Sequence, residues 1–328
     1  MTAKREKPNQ IAFVILHYGD PAVTDLCVQS ILRMECGRMP RPRIVVVDND
    51  GRPGPKERES FAVRYAEHPE AVVLRAPEGA GFSKANNLGY AWARERLHAD
   101  CIILCNNDIE FIQTDFPARL ERSVSRMRCQ VIGPAIVRKC GREPQNPMDS
   151  RLRTVEEAHF TIRMNRAALA VFPAAWPFLR IQEKQQERKR LLWKKNNPDY
   201  YRRPQKHIIP FGACLIFAPS FVEKEEAAFE PETQFYYEEY LLAHRCFVKG
   251  YETGYDPSMR VLHETGSATR QSARGRRDQM RTMMERTMDA CEIYLEVLEN
   301  TRENAASNRS GSEAVRRCDV QPDRQCDV

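Results

Sequence analysis

Acidic clusters placed just after apolar runs set the chemistry of this sequence. Asn106-Asn107-Asp108 follows CIILC. A carboxylate at the end of a buried strand is exposed yet rigidly mounted. Mg2+ or Mn2+ takes one or two such carboxylates and completes its shell with substrate phosphates. Asp108 suits that task, and Asn106 and Asn107 suit either a nucleotide or the turn itself. Asp48-Asn49-Asp50 follows VVV and precedes GRPGP. There Asp48 suits a hydrogen bond to a nucleobase or ribose, and Asp50 suits the turn. Glu238-Glu239 follow FYY and open a helical stretch. They read either as a general base whose pKa an aromatic, partly dry setting raises, or as acids favoured by a helix N-terminus. His263 closes MRVLH and reads as a metal or phosphate ligand or as a structural histidine, while His17-Tyr18 closes IAFVILH. The glycine turn of GAGFSKANNLG (79–89) can offer N–H groups to an anion. Lys84 stands where a dinucleotide fingerprint needs its third glycine. With no P-loop, HExxH or GxSxG in the chain, NAD enzymes, NTPases, zinc proteases and serine hydrolases are disfavoured.

The elements that must position these groups alternate in type. Strand-like runs at 11–17, 43–48, 71–75 and 101–105 alternate with helical periodicity at 22–36 and 83–97. That alternation predicts an α/β fold, a mainly parallel sheet flanked by helices on both faces. Ligands of such a sheet sit at the carboxyl ends of its strands, where strand order reverses. Those ends carry His17-Tyr18, Asp48, Glu78 and Asp108. After a differently composed stretch at 140–206, PFGACLIFAPS (210–220) resumes the sheet pattern, followed by a helix to about Lys249 and the strand at 259–263. A helix is predicted from Arg276 to about Asn300, and residues 301–328 read as a disordered tail.

Composition sets limits on the alternatives. The chain has 328 residues, 42% hydrophobic and 29% charged, enough to bury a core without disulfides. Its eleven cysteines are scattered, many in apolar runs, and form no CxxC pair, as expected of reduced thiols. Lys plus Arg exceed Asp plus Glu by 51 to 45, too mild a surplus to indicate a nucleic-acid partner. No apolar run reaches about 18 residues, so no spanning helix is expected, and the polar start is expected to carry no signal peptide.

Seven segments in this order and spacing, IAFVILHY, VVVDND, GFSKANNLG, ILCNND, FGACLIF, EEYLLAHR and MRVLH, together resemble the family 2 inverting glycosyltransferases of the GT-A fold. The resemblance covers roughly residues 10–265. It implies a nucleotide-sugar-binding half (10–110) and a catalytic and acceptor half (207–265); composition and periodicity add an apolar and basic insertion (140–206) between them and a C-terminal helix (266–300) after them. By resemblance, Asp48 holds the base of the nucleotide-sugar, and His17, Tyr18, Asn86, Asn87, Asn106 and Asn107 line the donor site. Asp108 binds Mn2+ or Mg2+ on the diphosphate with His263 nearby, and Glu239 is the general base with Glu238 beside it. Three positions depart from the family pattern: Gly79 stands where Asn is frequent, Glu239 where Asp is usual, and Leu241 where an acid is common.

The expected activity is transfer of one sugar from a UDP- or dTDP-sugar to a hydroxyl of a glycan or lipid-linked glycan, with inversion, in surface polysaccharide assembly. A sugar-nucleotide nucleotidyltransferase, which needs a glycine-rich basic loop near the first strand, and a non-catalytic basic membrane- or anion-binding protein are the rival readings. A cytoplasmic chain, peripheral on the inner face of the membrane, is expected. Residues 165–206 motivate the membrane contact: an apolar stretch (Val171, Phe172, Trp176, Phe178, Leu179) adjoins 180–206, with ten Lys/Arg against three Asp/Glu. The competing reading packs that stretch under the sheet. RNA binding by the basic run is disfavoured, because it lacks an interleaved stacking platform.

Overall fold

The structure, a computed structural model, describes residues 7–52, 54–147, 150–231, 233, 236–264 and 275–307. Residues 301–307 of the expected disordered tail (301–328) are helical instead, continuing the preceding helix; the rest of that tail, most of 266–275 and Phe235 lie outside the described residues. In chain order the elements are β1 (Ile11–His17), α1 (Pro21–Leu32), β2 (Arg43–Asp48), α2 (Pro55–Val63), β3 (Ala71–Arg75), α3 (Gly81–Glu95), β4 (Cys101–Asn106), β5 (Ile109–Phe111), α4 (Phe116–Met127) and β6 (Val131–Arg138). They continue as α5 (Val155–Ala170), α6 (Phe172–Asn196), β7 (Gln205–Lys206), β8 (Cys214–Phe217), α7 (Pro219–Val222), α8 (Glu238–Lys249), β9 (Thr253–His263) and α9 (Arg276–Ser307).

Two compact units result: residues 1–152 with 199–275, and 153–198 with 276–328. The first holds a sheet ordered β3-β2-β1-β4-β8-β6-β9-β5, with β7 beside β9. The ladders β3-β2-β1-β4 and β6-β9 are parallel, and β8 runs antiparallel to both β4 and β6. Parallel strands covered on both faces need unbroken apolar sequence, and IAFVILH is buried at every position. Its residues divide by parity. Ile11, Phe13 and Ile15 pack with Cys27, Val28 and Ile31 of α1, while Ala12, Val14 and Leu16 pack on the other face with Tyr90 and Ala93 of α3. Gly89 lets α3 close down on the sheet: a Cβ there would lie 2.3 Å from Val14 Cγ1 and 2.7 Å from Val47 Cγ2. Strand order reverses between β1 and β4, which places the crevice at the ends bearing His17 and Asn106.

The second unit joins segments that the sequence assigned separately, the insertion and the C-terminal helix. Thr154 caps α5 in a reciprocal capping box with Glu157. Helix α5 packs along α9, where Ala158, Ile162, Ala290, Cys291 and Tyr294 are buried. Phe172 clusters with Met280 and Met284, with Trp176 and Leu179 against them. This splits the apolar stretch expected to meet a membrane as one patch: Phe172, Trp176 and Leu179 face inward, whereas Val171 and Phe178 are exposed. Within the described residues no helix is long and apolar enough to cross a membrane.

Candidate active site

The end of β4 turns at Asn107-Asp108 and re-enters the sheet as β5, whose Ile109 pairs with His263 at the end of β9. This pairing makes neighbours of two residues distant in sequence: His263 Nε2 lies 3.1 Å from Asp108 Oδ1, and both side chains are under 10% exposed. On the other side of the ring, Nδ1 lies 2.6 Å from Gln145 Oε1. A carbonyl oxygen only accepts, so Nδ1 carries a proton and fixes the ring. Nε2 then meets Asp108 either as a proton donor or, through its lone pair, as co-ligand of a cation held by the carboxylate. A carboxylate and an imidazole are a fitting protein share for Mn2+ or Mg2+ when phosphates supply the rest. Among the described residues no group of three or more His, Cys, Asp or Glu is placed to hold an ion unaided.

Glu238 and Glu239 open α8, as expected. The Gly212 N–H donates to Glu239 Oε1 at 3.1 Å, and a Cβ on Gly212 would lie 2.8 Å from that oxygen, so a side chain at 212 would displace the carboxylate. Next in the chain, Ala213 O accepts from the Asn106 amide at 3.0 Å, which brings this acid toward the ligand edge of β4. Burial pushes the Glu239 carboxyl above its usual range. Glu238 is raised to about 8, by burial first and by Glu239 second. Its Oε1 is buried with no hydrogen-bond partner among the described residues. Immediately before the pair, Tyr236 and Tyr237 both hold positive φ, 72° and 62°. Two consecutive aromatic residues in the left-handed region store strain of the kind that concentrates at functional sites.

The remaining expected donor-site residues separate into two groups. Tyr18 and Asn106 are partly exposed at the edge. Asp48, paired with His17 across the β1–β2 ladder, accepts from the Asp50 amide at 3.1 Å. Like Asp48, His17, Asn86 and Asn107 are buried, Asn87 is partly buried, and these four side chains make hydrogen bonds within the scaffold. His17 stacks on Phe61 at 4.1 Å and its Nδ1 lies 2.6 Å from Thr24 Oγ1; burial lowers its pKa. Asn107 donates to Thr24 Oγ1 and to the Tyr18 carbonyl. Asn86 is buried and donates to the Phe82 carbonyl. Asn87 takes both backbone groups of Phe229, donating at 2.8 Å and accepting at 2.9 Å. With Ser83 against Thr233 at 2.9 Å, this clasps the segment leading to Glu238 onto α3. Asp50 is a turn residue, bound to Gly19 N–H and bidentately by Arg52, whose guanidinium lies 4.4 Å over the Tyr18 ring.

Sequence reasoning missed Thr24, Gln145, Gly212 and the Arg52–Tyr18 stack. Of these only Gly212 carried a signal, as the glycine leading into the apolar run of β8.

No protein-family model and no curated protein sequence matches this chain. Solved structures do. GalNAc-T7, solved with UDP, GalNAc and Mn2+, matches 79% of this chain and 43% of its own at 16% identity and a TM-score of 0.50. S. aureus TarS 1–349 matches 93% of this chain and 76% of its own at 9% identity and TM-score 0.47, and its UDP complex 78% and 61% at 10% and 0.46. The strand order, the reversal between β1 and β4 and the superposition on GalNAc-T7 agree on one architecture: this chain has the GT-A glycosyltransferase fold.

Proposed function

We propose that this chain is an inverting glycosyltransferase, moving a sugar from a nucleoside-diphosphate sugar, UDP- or dTDP-linked, to a hydroxyl of a glycan or lipid-linked glycan in surface polysaccharide assembly. What supports the reading is a GT-A sheet whose edge carries the Asp108–His263 pair, with the buried Glu238–Glu239 pair tied toward that edge through Gly212 and the Ala213–Asn106 hydrogen bond. Tyr18 and Asp48 sit where β1 and β2 end and would receive the base and ribose. Glu239, raised by burial and anchored by Gly212, would take the proton of the acceptor hydroxyl as its oxygen attacks the anomeric carbon. The bond from that carbon to the diphosphate oxygen breaks on the opposite face, so configuration inverts. Asp108 and His263 would hold Mn2+ or Mg2+, which when bound supplies positive charge to offset that developing on the leaving diphosphate. Glu238, protonated at neutral pH, would donate a hydrogen bond toward the bound sugars.

The test is release of UDP or dTDP from a panel of nucleotide-sugars, with and without Mn2+, with the anomeric configuration of the product read by NMR. Asp108→Ala is expected to abolish the metal-dependent part of donor binding while the fold remains. A chain that releases no nucleotide from any donor, or an Asp108→Ala protein with unchanged nucleotide affinity in Mn2+, overturns the reading.

A further inference from the structure

The second unit carries a feature that sugar transfer does not use. Helix α6 is 25 residues long: its first turns bury an apolar face against α9, and a separate set of apolar side chains along it is exposed. Phe178, Ile181 and Leu192 are 69%, 55% and 51% exposed. At 3.6 residues per turn these three fall within an arc of about 60°. Phe172, Trp176 and Leu179, which face Met280 and Met284, fall about 100–160° away from Phe178. The exposed arc is therefore a second stripe and not the edge of the packed one.

On the same helix basic side chains occur all round, whereas the acids keep to one side. The helix holds seven Lys/Arg (Arg180, Lys184, Arg188, Lys189, Arg190, Lys194, Lys195) and two acids, Glu183 and Glu187. Both acids project on the inward half, and Glu183 meets Arg276 of α9 at 3.4 Å. Lys184, Arg188 and Lys195 flank the apolar arc on one side, and Lys189 borders it on the other, where a long stem can cover apolar surface while its ammonium reaches outward. The charged side chains bordering the arc are thus all basic, with uncharged Gln185 among them.

We propose that this outward face of α6 is a docking surface for a bilayer containing anionic lipid. Apolar side chains flanked by basic ones suit the boundary between acyl chains and negative headgroups, where both contribute. A second copy of the chain would present the same positive face, which like charge opposes. A nucleic-acid backbone would engage the lysines and leave Phe178, Ile181 and Leu192 in water. The proposal is independent of the sugar-transfer reading, since it concerns residues of the second unit alone.

The test uses the full chain in co-sedimentation with vesicles of phosphatidylcholine alone and of phosphatidylcholine with phosphatidylglycerol, at low and high salt. Binding is expected only with phosphatidylglycerol and is expected to fall as salt rises. Phe178→Gln/Ile181→Gln/Leu192→Gln is expected to weaken it at least about tenfold. Lys184→Gln/Arg188→Gln/Lys195→Gln is expected to weaken it by about 100-fold, about fivefold per charge. All six positions lie on the outward half, so both proteins should keep the wild-type circular dichroism and Tm; should the apolar triple fail to fold, Phe178→Gln alone serves, with a smaller loss. Three results overturn the proposal: a wild type indifferent to phosphatidylglycerol, an apolar variant that binds as tightly as the wild type, or a concentration-dependent dimer abolished by that variant while vesicles stay unbound.

Discussion

Two parts of the ligand edge treat buried polar groups in opposite ways. At the ends of β1 and β4, His17, Thr24, Asn107 and the Tyr18 carbonyl form a closed set in which one threonine hydroxyl serves both the imidazole and the amide. At the start of α8, a buried carboxylate oxygen has no partner among the described residues, its carboxyl is raised to about 8, and the preceding tyrosines are strained. Satisfied networks rigidify, and unsatisfied buried groups cost stability unless something else sustains them. The first arrangement is scaffold; the second has the character of a site kept ready for a reactant.

The sharpest way to break this contrast is at Glu239. Glu239→Gln is expected to leave nucleotide affinity and Tm near wild type and to lower turnover by about 10²-fold or more, measured under saturating donor. If Glu238→Gln produces that pattern instead, the base is one residue earlier. Thr24→Val should do the reverse. It keeps shape but strands His17 and Asn107, so urea unfolding should show a loss of about 2 kcal/mol, with little change in turnover per folded molecule.

A smaller and opposite effect is expected at Glu238. Its folded pKa is raised to about 8 from an ordinary 4.5, so the folded state holds a proton that the unfolded state has released between those values. Stability from this group is therefore full below pH 4.5 and is lost as pH rises toward about 8. Glu238→Gln removes that loss and should raise Tm at pH 8, with no gain at pH 4. The smallest effect is expected outside the edge altogether: Phe178→Gln should change unfolding free energy by less than about 0.5 kcal/mol, because the side chain is mostly in water already.

Much of the fold was legible in the sequence for a physical reason. Parallel strands buried on both faces must be apolar throughout, and IAFVILH, RIVVVD and CIILC declare themselves. The acids after those runs marked the ligand edge. Side-chain roles within the edge were less legible, because a residue type does not say what stands opposite it. Asn87 resembles a donor contact, yet its two bonds to Phe229 come from a segment more than a hundred residues later. Gln145 lies in a polar loop with no periodicity, and only the return of β9 brings His263 to it. The union of 153–198 with α9 was illegible for a related reason: two amphipathic helices do not reveal from sequence that they are each other's cover.

The contact between Gly212 and Glu239 also says something about descent. The space that admits the longer acid is the space a methyl group at 212 would fill. An aspartate at 239 is one methylene shorter and would vacate it. These two positions should therefore drift together across related chains, glycine travelling with glutamate and alanine becoming admissible beside aspartate. A lineage that changed either residue alone would pass through an intermediate with a displaced acid, so the pair is expected to be inherited as a unit.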